Sequence, residues 1–202
     1  DLGGFYNTGY IGNEERPNIE DYLSSVQMGL WMPLSRAHGK TPREPWQYGD
    51  MALKEVKKWI NFRHRLVPYL YHTACQTHQS GIPMIRPLVM EYPKDPIAKI
   101  QNLSYMLGDA LLISPGFDRD EYELYLPEGR WQDIESKEVY EGMTFVHIEN
   151  KAFADGGTSL RVFQKEGTSI PLFTQKEVLH VPAQLWKQED LEFMTFQKKD
   201  VD

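Results

Sequence analysis

Residues 31–46 read WMPLSRAHGKTPREPW. A short apolar run, Trp31 to Leu34, opens into a polar stretch that holds Arg36, His38, Lys40, Arg43, Glu44 and Trp46 with a single glycine, Gly39. A long helical pattern follows. That order predicts a buried strand at 31–34, then a loop, then a helix, and loops at that position carry function more often than cores do.

Upstream, residues 1–5 read DLGGF, a short apolar segment in which paired glycines permit a sharp turn or the close approach of another group. Residues 6–17 are polar and rich in turn formers, which predicts a loop, with Glu14, Glu15 and Arg16 as a solvated run. Asn18 then fits a helix N-cap, with Glu20 and Asp21 in the first turn and Ile19, Leu23, Val26 and Leu30 at helical spacing. Strand, helix, strand is the repeat of parallel α/β folds.

Downstream, a helix is predicted from about residue 50 to 80, because Leu53, Val56, Trp59, Ile60, Val67, Leu70, Tyr71 and Ala74 keep a 3.6-residue period. Pro68 must interrupt it, giving a kink or two helices end to end, and Gly81 supplies a stop. Beyond Gly81 the texture changes to short strands at 84–90, 110–114, 122–126, 144–148, 160–163 and 169–173, with turn formers between them. That spacing predicts an antiparallel sandwich.

With 202 residues, 41% of them hydrophobic, the chain can bury one or two cores. A net charge of −7 argues against nucleic acid as the main partner. No apolar run approaches the ~20 residues of a membrane span, and no signal peptide is visible. The one cysteine, Cys75, makes no internal disulfide, which fits a reducing cytoplasm. The chain begins on DLGGF without methionine, as a piece of a longer protein would.

Several chemistries lack their residues. DLGGF has neither the lysine of a phosphate-binding loop nor the rest of a dinucleotide fingerprint. Cys75 and His78 are spaced as metal ligands can be, but no second pair matches them, so no metal is expected. Ser35 lacks a nucleophile-elbow context. Asp1 and His38 remain, each after a predicted strand on the face where parallel α/β folds bind ligands. The plain alternative carries equal weight at this point: Asp1 caps a turn, and His38 bonds the loop backbone.

Eight stretches carry a resemblance: DLGGF at 1–5, MPLSRAHG at 32–39, REPW at 43–46, RHRLVPYLY at 63–71, GIPMIRPLVMEYP at 81–93, LGDALLISP at 107–115, YLPEGRW at 125–131 and EVYEG at 138–142. In order and spacing they resemble glycoside hydrolase family 31. The resemblance implies α/β followed by all-β. Residues 1–86 would be the last two βα units of a (β/α)8 barrel, strands 7 and 8 with their helices. Residues 87–174 would be the proximal C-terminal β-sandwich, and 175–202 the incomplete start of a distal β domain. A whole barrel takes about 250 residues, so most of it is expected upstream.

The resemblance also implies a retaining α-glycosidase, with an aspartate nucleophile and an aspartate acid/base about 5 Å apart. Both are expected upstream of residue 1, after the fourth and sixth barrel strands, and neither Asp1 nor Asp50 takes their place. What these residues would supply is sugar binding. His38 resembles the histidine that hydrogen-bonds hydroxyls of the sugar at the cleavage point, Phe5 the aromatic that packs on that sugar, and Asp1 a residue that organises the pocket floor. Arg36 resembles an arginine that orients carboxylates. Trp46 is read first as packing, with an outer subsite as the alternative. No cofactor is implied.

The implied ligand is an α-linked oligosaccharide cleaved at a terminal glucose. An α-xylosidase is the alternative, because Ser35-Arg36-Ala37-His38-Gly39 is closer to members resembling that group. Two further expectations follow: the residues alone form an inactive carbohydrate-binding or structural piece, and two isolated βα units pair with an N-terminal barrel segment or with a second copy through an open sheet edge.

Overall fold

The side chain of Asn18 accepts a hydrogen bond from the Asp21 amide at 2.8 Å, satisfying one of the amides left free at a helix start. From that cap, helix α1 runs Ile19–Gly29 and buries Tyr22, Leu23 and Val26. These pack with Leu2, Leu30, Ala52 and Val56 in a small core of their own. The computed structural model describes residues 1–5, 17–40, 42–116, 120–149, 160–174 and 182–197. The loop expected at 6–17, with Glu14, Glu15 and Arg16, lies outside them except for Pro17.

Residues 31–34 do not form the predicted strand. The amides of Trp31 and Met32 donate back to the carbonyls of Met28 and Gly29 at 3.1 and 3.2 Å, prolonging the end of α1 as turns. Pro33 has no N–H to give. Arg63 donates to the carbonyls of Leu30 and Pro33. The backbone groups a strand ladder would use are therefore taken, and Leu34 stands 84% exposed.

Residues 1–5 are likewise a turn, in which the Gly4 amide donates to the Asp1 carbonyl. Two backbone bonds nonetheless lay this turn beside the loop: the Leu2 amide donates to Arg36 O at 2.8 Å, and the Lys40 amide to Phe5 O at 3.1 Å. A barrel strand draws its ladder from neighbours on both sides. Among the described residues no parallel sheet is present, so the open edge expected to pair with a second copy is not formed there.

Helices α2, Gly49–Arg65, and α3, Val67–Ser80, stand end to end as Pro68 requires. Pro68 falls in the first turn of α3, where a missing N–H leaves no bond unmade. Gly81 ends α3 with φ at 76°. No described helix is long and apolar enough to cross a membrane.

The remainder is antiparallel. Strands β1 (Ile85–Pro87), β2 (Tyr105–Leu107), β3 (Leu111–Pro115), β8 (Leu160–Lys165), β5 (Arg130–Asp133) and β6 (Val139–Glu141) form a six-stranded sheet in that order. Strands β4 (Glu121–Leu126) and β7 (Thr144–Glu149) pair separately, as do β9 (Thr168–Phe173) and β10 (Leu191–Phe196). A short helix α4, Leu88–Glu91, occupies the second half of the run predicted as a strand at 84–90.

The six-stranded sheet is covered on both faces. Leu107, Leu111, Ile113 and Val162 pack on one side with Leu66, Tyr69 and Leu70 of the helices and with Ile170 and Leu172. Met106, Leu112, Trp131 and Phe163 pack on the other with Leu124, Leu126, Val146 and Ile148 of the β4–β7 pair. Burial of both faces explains why β3 is buried at every position, whereas β7, with one face in solvent, alternates over its second half.

Candidate functional site

The bonds between residues 1–5 and 36–40 bring four of the five predicted site residues together. Asp1 Oδ1 accepts a hydrogen bond from Arg36 Nε at 2.6 Å, and Asp1 Oδ2 lies 3.8 Å from His38 Nδ1. The Phe5 ring stacks on the His38 ring with centroids 5.4 Å apart and planes 15° from parallel. One carboxylate thus faces both a guanidinium and an imidazole, while an aromatic face covers the imidazole. Trp46 stands apart on a 3-10 helix, Pro45–Tyr48, 62% exposed, and takes part in none of these contacts.

The frame behind the cluster is more buried than the cluster. Arg43 runs under Gly3, Gly4 and Gly39: its Nε donates to the Gly4 carbonyl at 2.7 Å, and its own carbonyl accepts from the Tyr22 hydroxyl at 2.8 Å. The Tyr22 ring stacks on Tyr48 at 3.8 Å. Burial, with Tyr48 and Glu44 adding to it, pushes the Tyr22 hydroxyl up to about 12, so it stays a protonated donor. The close approach anticipated at the paired glycines is real: a Cβ on Gly3 would lie 2.7 Å from the Tyr22 ring, and the residue holds φ at 79°.

Arg43 and Tyr22 were not singled out from sequence. Arg43 sits in a stretch from which the sequence singles out His38 and Arg36, and only the glycines 39 and 40 residues upstream point to the groove it fills. Tyr22 is not among the helix positions that the sequence spacing picks out.

Chemically, the cluster offers an apolar ring face, an imidazole with a hydrogen-bonding edge, and a carboxylate already engaged by a cation. An apolar face with a few convergent polar groups suits a pyranose ring, which has both. Asp1 is held by Arg36 and lies within ion-pair distance of His38. Among the described residues no group of three or more His, Cys, Asp or Glu could hold a metal ion, and Cys75 is exposed on α3. A cavity of about 520 Å³ lies elsewhere, between α1, α2 and the β5–β8 edge, lined by Trp31, Trp59, Phe62 and Val162 among others.

Comparison with known proteins agrees with this frame. Residues 1–73 match the model of the glycosyl hydrolases family 31 TIM-barrel domain, and residues 81–176 match that of the glycosyl hydrolase family 31 C-terminal domain. A 1,6-alpha-glucosyltransferase of Sporosarcina globispora is 33% identical over 181 residues, covering 87% of this chain and 14% of the relative. Neutral alpha-glucosidase AB of Homo sapiens is 32% identical over 178 residues, 85% of this chain and 18% of the relative. An alpha-xylosidase of Saccharolobus solfataricus is 32% identical over 177 residues, 85% and 23% respectively.

A solved GH31 dextranase of Flavobacterium johnsoniae, complexed with glucose, superimposes with a TM-score of 0.75 at 31% identity, covering 87% of this chain and 21% of its own. The chain thus spans less than a quarter of the length of each of these proteins. Two models of one family, matched in order along most of its residues, carry the assignment: the chain belongs to glycoside hydrolase family 31.

Proposed function

We propose that residues 1–202 are the sugar-reading portion of a retaining α-glycosidase that releases terminal α-linked glucose from oligosaccharides. The observation that carries this reading is the stacked Phe5–His38 pair facing Asp1 and Arg36. In this reading Phe5 packs on the apolar face of the glucose ring, and His38, oriented by the Asp1 carboxylate, hydrogen-bonds its hydroxyls. Arg36 holds Asp1 in place. The nucleophile and the acid/base are aspartates of the barrel strands that precede residue 1, and these residues alone are inactive.

Ring flattening in the oxocarbenium-like transition state moves the sugar hydroxyls, so contacts that tighten there raise turnover as well as affinity. An α-xylosidase is the second reading, favoured by the motif Ser35-Arg36-Ala37-His38-Gly39 and by the similarity to a xylosidase. Hydrolysis of chromogenic α-glucoside and α-xyloside by the full-length enzyme and by the 202-residue chain decides among them. Glucoside cleavage by the full-length enzyme alone is expected. Cleavage of the xyloside in preference moves the assignment to the second reading, and cleavage of neither removes the glycosidase reading.

A further inference from the structure

Two arginines of this chain are equally buried, and they are treated differently. Arg86, 6% exposed, has its charge answered: Nη1 donates to Glu91 at 2.9 Å and to Asp109 at 2.6 Å, and Nε to the Pro83 carbonyl. Arg43, also 6% exposed, has only the Gly4 carbonyl on Nε, and both Nη1 and Nη2 are shielded from solvent with no hydrogen-bond partner. A buried cation left without an anion is among the costliest arrangements a fold can hold.

The groove around Arg43 is nevertheless built for it. A Cβ on Gly3 would lie 3.2 Å from its Cδ, and one on Gly39 would lie 3.0 Å from its Cγ and 3.1 Å from its Nε. Larger side chains at either position would press on the stem. The stem is therefore fixed between two glycine-lined walls, and the unsatisfied Nη edge is fixed with it.

We propose that this edge binds one carboxylate side chain supplied by a different part of the intact enzyme, and that Arg43 is thereby the positioning residue of the Phe5–His38 pair. Only an anion answers a buried charge, and a planar two-oxygen group matches two Nη donors in one plane, as a single carbonyl or hydroxyl does not. No described residue offers that carboxylate to Arg43. The human relative has most of its length outside the matched segment, so a protein of this family has ample chain from which to supply one. Once bound, the carboxylate ties the Gly4 carbonyl, and with it Phe5, to a second structural element. The kinetic part of the inference rests on the glycosidase reading, whereas the pairing itself does not.

The test is a crystal structure of the full-length enzyme, joined to thermal unfolding and kinetics of R43K, R43M, the amide variant of whichever acid meets Arg43, and the double variants. Both Nη atoms are expected about 2.8 Å from one side-chain carboxylate. R43M and the amide variant should lower Tm by similar amounts, the double variant no further, and R43K should recover only part of the loss. R43M should lower kcat/KM roughly tenfold to a hundredfold, through displacement of groups it does not itself contact.

Nη atoms that meet only backbone carbonyls, water, a sugar hydroxyl or a carboxylate taken up from the medium overturn the proposal, as do Tm losses that simply add. An enzyme that pairs Arg43 as described but cleaves no α-glycoside loses the glycosidase reading and keeps the pairing.

Discussion

His38 is the residue on which the proposed chemistry turns, and its surroundings say what its loss should do. The half-exposed imidazole has the Phe5 ring on one face and the Asp1 carboxylate 3.8 Å from one edge. In the full-length enzyme, His38→Ala is expected to lower kcat by about tenfold or more, the range of a single transition-state hydrogen bond. A raised KM with kcat unchanged would place the contact in the ground state only. Gly3 makes a stability prediction at the same scale. A methyl group there meets the Tyr22 ring at 2.7 Å and forces a side chain into φ 79°, so Gly3→Ala should cost roughly 1–3 kcal/mol by urea unfolding. Asp1 and His38 stand out in the sequence by elimination, Phe5 and Arg36 only through the family resemblance, and the structure brings the four side by side. Arg43 was not legible, since burial of a loop arginine depends on a groove that two distant segments make together.

Among the elements, the helices were the more legible. Asn18, Pro68 and Gly81 each impose a local backbone rule, and α1, α2 and α3 start or stop where those rules say. At 31–34 apolar character does not make a strand, because Arg63, 30 or more residues away in sequence, captures the carbonyls of Leu30 and Pro33, and at 1–5 the Gly4 amide closes a turn on Asp1 O instead. Strands β2, β5 and β6 escaped notice for a different reason: each is only three or four residues long, too short for alternation to register. One element contact is open to test. The buried Tyr69 hydroxyl of α3 donates to Leu107 O at 2.6 Å and accepts from the Ala110 amide at 3.2 Å, spanning the turn between β2 and β3. Burial pushes this hydroxyl up to about 12, so it remains a donor at any ordinary pH. Tyr69→Phe strands both backbone groups and should cost about 1–3 kcal/mol, read as a lowered urea midpoint with an unchanged slope.

At the level of the whole molecule, three cores are joined in series, and the sheet shares its two faces between two of them. The core that packs against the β4–β7 pair carries a pH response at its edge. Asp95 accepts from the Tyr125 hydroxyl at 2.6 Å and from the amides of Ile97 and Ala98. Burial pushes its carboxyl up, but these three donors together outweigh burial and hold it below the usual range. A carboxyl whose folded value is depressed adds stability above its unfolded value of about 3.9 and loses it as pH falls through the folded one. Asp95→Asn should therefore be less stable than the parent at neutral pH, and the two unfolding curves should converge as the pH drops below about 4. A gap that stays constant with pH would assign the loss to packing.

The two backbone bonds that join the turn at 1–5 to the loop have one more consequence. They grip Arg36 O and the Lys40 amide and leave Ala37 between them, exposed and bonded to neither. Position 37 thus lies beside His38 yet outside the two bonds that join the segments. A substitution at 37 therefore loosens neither bond, which leaves this one position of the loop free to vary while its neighbours stay fixed.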